Sequence, residues 1–455
     1  MINRILKRTP QGFLLIINLL ALVLLIFQRP ELQKKTLTYF GLFIVGLYIS
    51  NLILKKLSSG DNYILLMVQL LISLGVIMIY RINPEMGMKQ IIFSGIGMFF
   101  FFVTYYIMKL IKNWQNYIWL YVVLSIVLFI MTLVFGQRIG GAKNWISLGP
   151  VNFQPSEIIK ILYVFFIASF YVNRERIKVN LMSFGNGIFE KLKNKLEHKL
   201  KEKPKFIKKI FLNRFEDKLI TIFFMIIGYS FIVFLFMQRE LGIAMLFFLV
   251  FNSIVYVYEP NRKIILINII GAVLMLVIGY YLFSHVKVRM DIWLDPWADI
   301  NGKGYQIVQS LFAIASGGFF GTGLGVGNPD YVPEVHTDFI FVAIAEEMGI
   351  FAAMAIILLF MTIIYRGIKI SLNQKDKFLK IVALGITTTI GFQTFIILGG
   401  VINMIPLTGI TLPFVSYGGS SLVSNFISLA ILQFASEEID SEEVEVDGKK
   451  QGQKA

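Results

Sequence analysis

The sequence predicts an all-α fold: a polytopic transmembrane helical bundle of about twelve spans, read from hydropathy. Three observations carry that expectation. Long apolar runs recur along nearly all of the 455-residue chain, and each can cross a hydrocarbon core of roughly 30 Å as a helix. Only 16% of residues are charged and 56% are hydrophobic, whereas a soluble domain carries about a quarter charged residues. A segment in lipid must satisfy its own backbone polar groups, so these runs read as helices.

The spans fall near 11–28, 39–54, 63–81, 90–108, 117–135, 157–173, 219–237, 241–258, 264–283, 339–365, 381–402 and 418–434. The first follows the basic start Arg4, Lys7 and Arg8. It is long for a signal-peptide core and no small-residue cleavage pattern follows, so it reads as a retained span. An even number of spans puts both termini on one side. Most of the 43 Lys and Arg residues then fall on the N-terminal side, which predicts cytoplasmic termini by the positive-inside rule. Much of the +15 formal charge resides in one basic insertion, 174–218, which reads as a solvated cytoplasmic segment near anionic membrane lipids. Docking of a cytoplasmic partner is the other reading, and no motif supports nucleic acid. The tail, 435–455, is acidic and poor in apolar residues, the composition of a disordered segment. The chain has no cysteine. Disulfides, thiolate metal sites and cysteine nucleophiles are therefore excluded.

Three segments on the predicted outer side are rich in Gly, Pro and polar residues: 137–157, 284–338 and 403–417. Long segments without helical pattern in a membrane protein tend to be functional. The first contains Trp145, then Gln154, Pro155, Ser156 and Glu157, with Lys160 a turn later. Pro155 and Ser156 also read as ordinary helix-start residues. Lys160 is costly at a span end unless paired. Glu157, three residues earlier on the same helical face, can pair with it; the pair is structural, or Lys160 meets an anionic substrate. The second segment runs through SGGFFGTGLGVG at 316–327. Its glycines permit close backbone approach, yet neither nucleotide fingerprint is present, and taken alone it is a turn-rich loop. It ends in Glu334, His336, Thr337 and Asp338 before a span that carries Glu346 and Glu347. Thr337 or Asp338 could simply cap that span. Glu346 lies about 12 Å deeper than Asp338 and roughly 80° around the helix, whereas Glu347 is offset by about 180° and is expected to face elsewhere. A carboxylate inside a span requires a partner, the usual mark of a functional interior.

Four stretches, taken together, resemble a known family. They are GAKNWISLG…FQPSE at 141–157, GYQIVQS…GTGLGVG at 304–327, PEVHTDFIF…AEEMG at 333–349, and LPFVSYGGSS at 412–421, which contains Ser416. In this order they resemble the SEDS family (shape, elongation, division and sporulation), the RodA/FtsW-like proteins, over about 65–434. The resemblance implies a ten-span core at 63–434. It leaves two extra N-terminal spans within 1–62, the insertion 174–218 and the large extracellular loop 284–338. It implies a peptidoglycan glycosyltransferase that polymerises lipid II, an undecaprenyl-diphosphate-linked precursor, with a class B penicillin-binding protein as partner. It also implies that Asp338 is the essential acid, that Trp145 is important, and that the QPSE motif and following lysine fall on Gln154 to Glu157 and Lys160.

Two positions differ from the family pattern: Asn144 stands where Arg usually precedes the tryptophan, and Gln238-Arg-Glu-Leu-Gly242 replaces a Gln-Pro-Asp-Leu-Gly run. The implied reaction joins the donor glycan to the acceptor 4-hydroxyl with inversion. It requires a base and charge neutralisation of the leaving diphosphate. Asp338 is the expected base and His336 the runner-up. Candidate substrate contacts are Trp145, Gln154, Ser156, Glu157, Lys160, Glu334, His336, Thr337, Glu346 and Ser416. Lys143, Arg239, Lys287, Arg289 and Lys303 are further outer cations. The family also suggests a divalent cation, Mg2+ or Mn2+, with Asp338 as a ligand; no organic cofactor is expected. A lipid II flippase and a non-catalytic activator of a penicillin-binding protein are the competing readings.

Overall fold

Proline and Asx residues start several helices where the apolar pattern places them. Asp61 caps one helix by accepting from Tyr63 N, Asn83 caps the next through Glu85 N and Met86 N, and Asp376 caps a third through Leu379 N. These side chains supply acceptors for amides that the first helical turn leaves open. Pro84 and Pro155 occupy first-turn positions, where the missing N–H costs nothing.

The computed structural model describes residues 10–28, 30–139, 142–148, 151–184 and 205–437. Its helices are α1 (Pro10–Gln28), α2 (Gln33–Leu57), α3 (Asn62–Ile82), α4 (Pro84–Leu110), α5 (Ile118–Phe135), α6 (Pro155–Val172), α7 (Arg174–Phe184), α8 (Lys205–Met237), α9 (Leu241–Tyr258), α10 (Lys263–Leu282), α11 (Ser284–Leu294), α12 (Tyr305–Gly317), α13 (Ile340–Asn373), α14 (Lys377–Val401) and α15 (Gly419–Ala435). Among the described residues, 11 helices are long and apolar enough to cross a membrane, and α15, of 17 residues, is a shorter apolar helix. With α15 they match the twelve expected spans in order.

The all-α class holds, and the corrections are local. The segment 137–157 is not simply irregular. Its strands β1 (Gln137–Ile139), β2 (Ala142–Leu148) and β3 (Val151–Phe153) form an antiparallel sheet in the order β1-β2-β3. Short strands on both sides of the seven-residue β2 satisfy its backbone outside the bundle, something a helix-period reading cannot anticipate. The segment 284–338, expected to be mostly non-helical, carries α11, a 3-10 turn at Pro296–Asp299, and α12. α12 buries Ile307, Val308 and Ala313 and packs on α13, so tertiary burial makes it a helix. The expected basic insertion is partly structured too. α7 opens it, and α8 runs unbroken from Lys205 into a span. The rest of the insertion, 185–204, and the acidic tail beyond Glu437 lie outside the described residues.

The bundle core is aromatic. Phe170 and Phe224 stack at 4.0 Å between ring centres, Tyr163 and Phe247 at 4.6 Å, joining α6, α8 and α9. Glycines allow the closest approaches: a β-carbon on Gly75 of α3 would collide with the Val415 backbone, and one on Gly97 of α4 with the Phe426 ring of α15. Small residues at helix contacts are how spans associate without a hydrophobic driving force. The two N-terminal spans are tied to α3 by polar contacts within the bundle. Asn18 donates to Ser73 Oγ at 3.0 Å, Gln69 donates to Ser50 Oγ at 2.8 Å, and Asn51 bonds Gln69.

α13 is broken at Gly349, which holds φ 79°. Any β-carbon there would strike Gly321 N and the Phe319 carbonyl. Both the left-handed backbone and the contact oppose a side chain. Gly349→Ala is expected to cost about 2 kcal/mol or more, read as a lower thermal midpoint of the purified chain in nanodiscs. A parental midpoint would contradict this packing.

Candidate functional site

The first turns of α4, α6, α9, α13 and α15 meet the end of α14 at one pole of the bundle, around a cavity of ≈ 630 Å³. Eight charged side chains line it: Lys89, Lys160, Arg239 and Arg289, and Glu157, Glu240, Glu334 and Asp338. The chain reverses direction between successive spans, so these helix starts share a side.

Asp338 is placed by backbone clamps rather than by a cap. Phe339 is the N-cap of α13 and no side chain caps that end; the capping reading of Thr337 and Asp338 does not hold. The preceding turn passes through Glu334 at φ 56° and closes with Thr337 N donating to Glu334 O at 3.1 Å. The 412–421 stretch then grips it: Ser416 Oγ donates to Thr337 O at 2.6 Å, and Tyr417 N to His336 O at 2.8 Å. Gln90 of α4 holds Ser416 O at 3.1 Å. A β-carbon on Gly409 would lie 3.6 Å from both Arg289 Nη2 and Asp338 Oδ2, so the guanidinium and the carboxylate converge over that glycine. Burial, then the Glu334 charge, push the Asp338 carboxyl up to about 7, against the opposing pull of Arg289. Arg289 is anchored by donating to Leu407 O at 3.1 Å.

The floor is an ion pair. Lys160 Nζ lies 2.8 Å from Glu157 Oε2, with both side chains 5% exposed. Ser424 Oγ of α15 donates to the same carboxylate at 2.6 Å, and Lys160 donates to Gln393 Oε1 of α14 at 3.1 Å. The helical spacing foresaw the pair; its partners on α14 and α15 are non-local. The third wall is the sheet and the α8–α9 turn. Gln154 Nε2 donates to Glu240 Oε1 at 2.7 Å, and Ser156 Oγ to the same atom at 3.3 Å. Burial above all, with a small push from the Glu157 charge, raises Glu240 to about 7 against the lowering pull of hydrogen bonds from Gln154, Asn144 and Ser156. The two departures from the family pattern, Asn144 and Glu240, are thus neighbours.

Of the predicted contacts, Trp145, Gln154, Glu157, Lys160, Glu334, Thr337 and Asp338 line the cavity. Ser156 and Ser416 stand behind it as props. His336 is not in the lining; its ring packs edge-on to Tyr417 and its Nε2 is 4.0 Å from Glu334 Oε2. Glu346 is brought elsewhere. It accepts from Asn328 N at 2.9 Å, while Glu347 accepts from Gly325 N at 3.0 Å and pairs with Arg81 at 2.5 Å. Both acids therefore hold the glycine-rich loop, although only Glu347 was expected to face away from Asp338; the folded loop brings a partner to each. Lys287 and Lys303 are not in the lining, and the Lys143 side chain lies outside the described residues. Lys89, Gln393 and Thr411 line the cavity without having been singled out. A lone cation early in α4 and an amide within the apolar α14 were the available signals. Among the described residues no group of three or more His, Asp or Glu side chains converges as for a metal ion. Asp338 and Glu334 place two carboxylates on the cavity wall, a number that can hold Mg2+ together with water and phosphate oxygens; no step below is routed through a metal.

The fold and the cavity define a polytopic membrane protein with a charged site at one pole of its bundle. The chain belongs to the FtsW/RodA/SpoVE cell cycle protein family, whose model matches residues 61–440. It is 32% identical over 435 residues to the peptidoglycan glycosyltransferase RodA of Mycobacterium tuberculosis, covering 92% of this chain and 87% of that one. It is 30% identical to stage V sporulation protein E of Bacillus subtilis, covering 83% and 97%. A solved chain of a peptidoglycan synthase complex has the same fold, with a TM-score of 0.62 at 21% identity, over 83% of this chain and 98% of that one.

Removing one partner of a buried ion pair leaves an uncompensated charge, at a cost of about 3–5 kcal/mol. Glu157→Gln and Lys160→Met are each expected to lower the thermal midpoint strongly. The double variant should recover much of the loss. Strictly additive losses would contradict the coupling.

Proposed function

We propose that this chain is a membrane peptidoglycan glycosyltransferase that polymerises lipid II. The observation that carries this reading is the Asp338 carboxyl, held in a bundle-end cavity that also presents four cations. A lipid-anchored diphosphate needs cations near the membrane surface, and the attacking hydroxyl needs a base. The family relationship supports the same activity.

The acceptor 4-hydroxyl oxygen attacks C1 of the donor sugar, and the C1–oxygen bond to the diphosphate breaks with inversion. The hydroxyl proton passes to Asp338. The electron pair leaves with undecaprenyl diphosphate, whose charge is met by Arg289, Arg239, Lys89 and Lys160. An acid with a pKa near 7 is both substantially ionised at neutral pH and basic enough to take a proton; an ordinary Asp is a weaker base. The concentration of charge at one pole favours headgroup chemistry over passage through the bilayer. The predicted orientation puts that pole outside, with both termini in the cytoplasm of a bacterial membrane. The solved neighbour is described as part of a complex that coordinates polymerization and crosslinking, which supports a class B penicillin-binding protein as partner here.

Purified chain with its cognate transpeptidase is expected to make glycan strands from lipid II. Asp338→Ala should keep the parental thermal midpoint and lose about 10²-fold or more in rate; parental turnover would remove Asp338 as the base. The acidic limb of the rate–pH profile should fall near pH 7, because protonation disables the base. Arg289 lowers the Asp338 pKa, so residual activity of Arg289→Gln should show that limb at higher pH. A limb unmoved or shifted to lower pH would contradict the assignment.

A further inference from the structure

Glu240 is a buried acid that the proposed steps do not use. It is 5% exposed and lies between α8 and α9. The chain reaches it through Arg239, a non-glycine residue at φ 65°. Just beyond, a β-carbon on Gly242 would collide with Thr408 and Ile410, so the turn is seated tightly against the loop below Asp338. Its Oε1 is satisfied by Gln154 and Ser156. Its Oε2 is buried and meets no donor at full hydrogen-bond geometry, although the Asn144 side chain comes close enough to lower the Glu240 pKa. Asn144 Oδ1, on β2 in the same wall, is also buried without a donor. A buried acceptor left unpaired costs about 1–3 kcal/mol, and both residues line one cavity.

The chemistry of the pair selects its ligand. Two oxygen acceptors, one on a carboxyl group, receive hydrogen bonds from hydroxyl or amide N–H groups. They repel a diphosphate, which is acceptor-rich and anionic. The cavity thus offers two kinds of chemistry: cations for the diphosphate, and the Glu240 and Asn144 acceptors for a neutral group bearing donors. We infer that Glu240 and Asn144 form a glycan-reading subsite, which takes hydroxyl or acetamido N–H donors of the lipid-linked sugar headgroup and leaves the diphosphate to the cations. The inference rests on the polymerase reading above, and it concerns how the headgroup is told apart from the carrier.

The test measures binding to the full-length chain in nanodiscs with two probes, lipid II and bare undecaprenyl diphosphate. Glu240→Gln keeps the side-chain shape but replaces one acceptor by a donor. It is expected to weaken lipid II binding about tenfold while changing undecaprenyl diphosphate binding by less than about twofold. Asn144→Leu, which removes the second acceptor, should act in the same direction. Parental lipid II affinity in both variants overturns the subsite. So does equal weakening of both probes, or weakening that tracks a lower thermal midpoint, since these mark a structural role. A parental chain that does not bind lipid II overturns the polymerase reading itself, and the subsite with it; a parental chain that binds lipid II beside indifferent variants overturns the subsite alone.

Discussion

The ion pair between Glu157 and Lys160 is the interaction on which the site depends. A charge buried in a bundle surrounded by lipid is tolerated only when paired and hydrogen-bonded. Here the pair joins α6 to α15 through Ser424 and to α14 through Gln393. Three spans are thereby drawn together beneath the cavity. Gln393 in turn donates to Thr411 O at 2.9 Å, extending the network into the loop that faces Asp338. The same contacts that hold the helices make the cavity polar, so stability and chemistry share one set of residues.

Above this floor, the orientation of Asp338 is a backbone matter. Glu334 sits in a left-handed conformation that a non-glycine residue adopts at some cost, and the turn it begins is held by the 412–421 stretch through Ser416 and Tyr417. The carboxyl is presented by a rigid turn instead of being spent on a helix cap. Burial and Glu334 then raise its basicity, while Arg289 opposes that rise. A base and its counter-cation meeting over Gly409 is an arrangement preorganised for charge development.

The glycine-rich loop serves a different purpose. Its amides are read by Glu346 and Glu347, its Gly327 carbonyl by Arg81 at 2.7 Å, and its Leu324 carbonyl by Gln28 at 2.5 Å. Glu346 and Glu347 lie on α13, Arg81 on α3, and Gln28 at the end of α1. α1, which precedes the region matched by the family model, thus reaches the loop that packs against α13 near its break at Gly349. The acids in the span are structural partners of a loop, and the pocket is built from acids at helix starts.

Hydropathy and charge by themselves determined the number and order of spans, because lipid leaves a long apolar segment no alternative to a helix. The Glu157–Lys160 pair was legible too, since three-residue spacing puts both on one helical face. Asp338 stood out as an acid at a span entrance, and the motif order marked the family. Tertiary structure decided the rest. Lys89 and Gln393 join the site only because α4 and α14 pack against α15 and α6. Glu346 leaves it because the folded glycine loop offers amides nearer than the cavity. Asn144 and Glu240 look like two unrelated changes along the chain and become neighbours when β2 meets the α8–α9 turn. Local pattern specifies which segments are helices and which faces need burial; which polar groups meet depends on contacts across hundreds of residues, and no local periodicity encodes them.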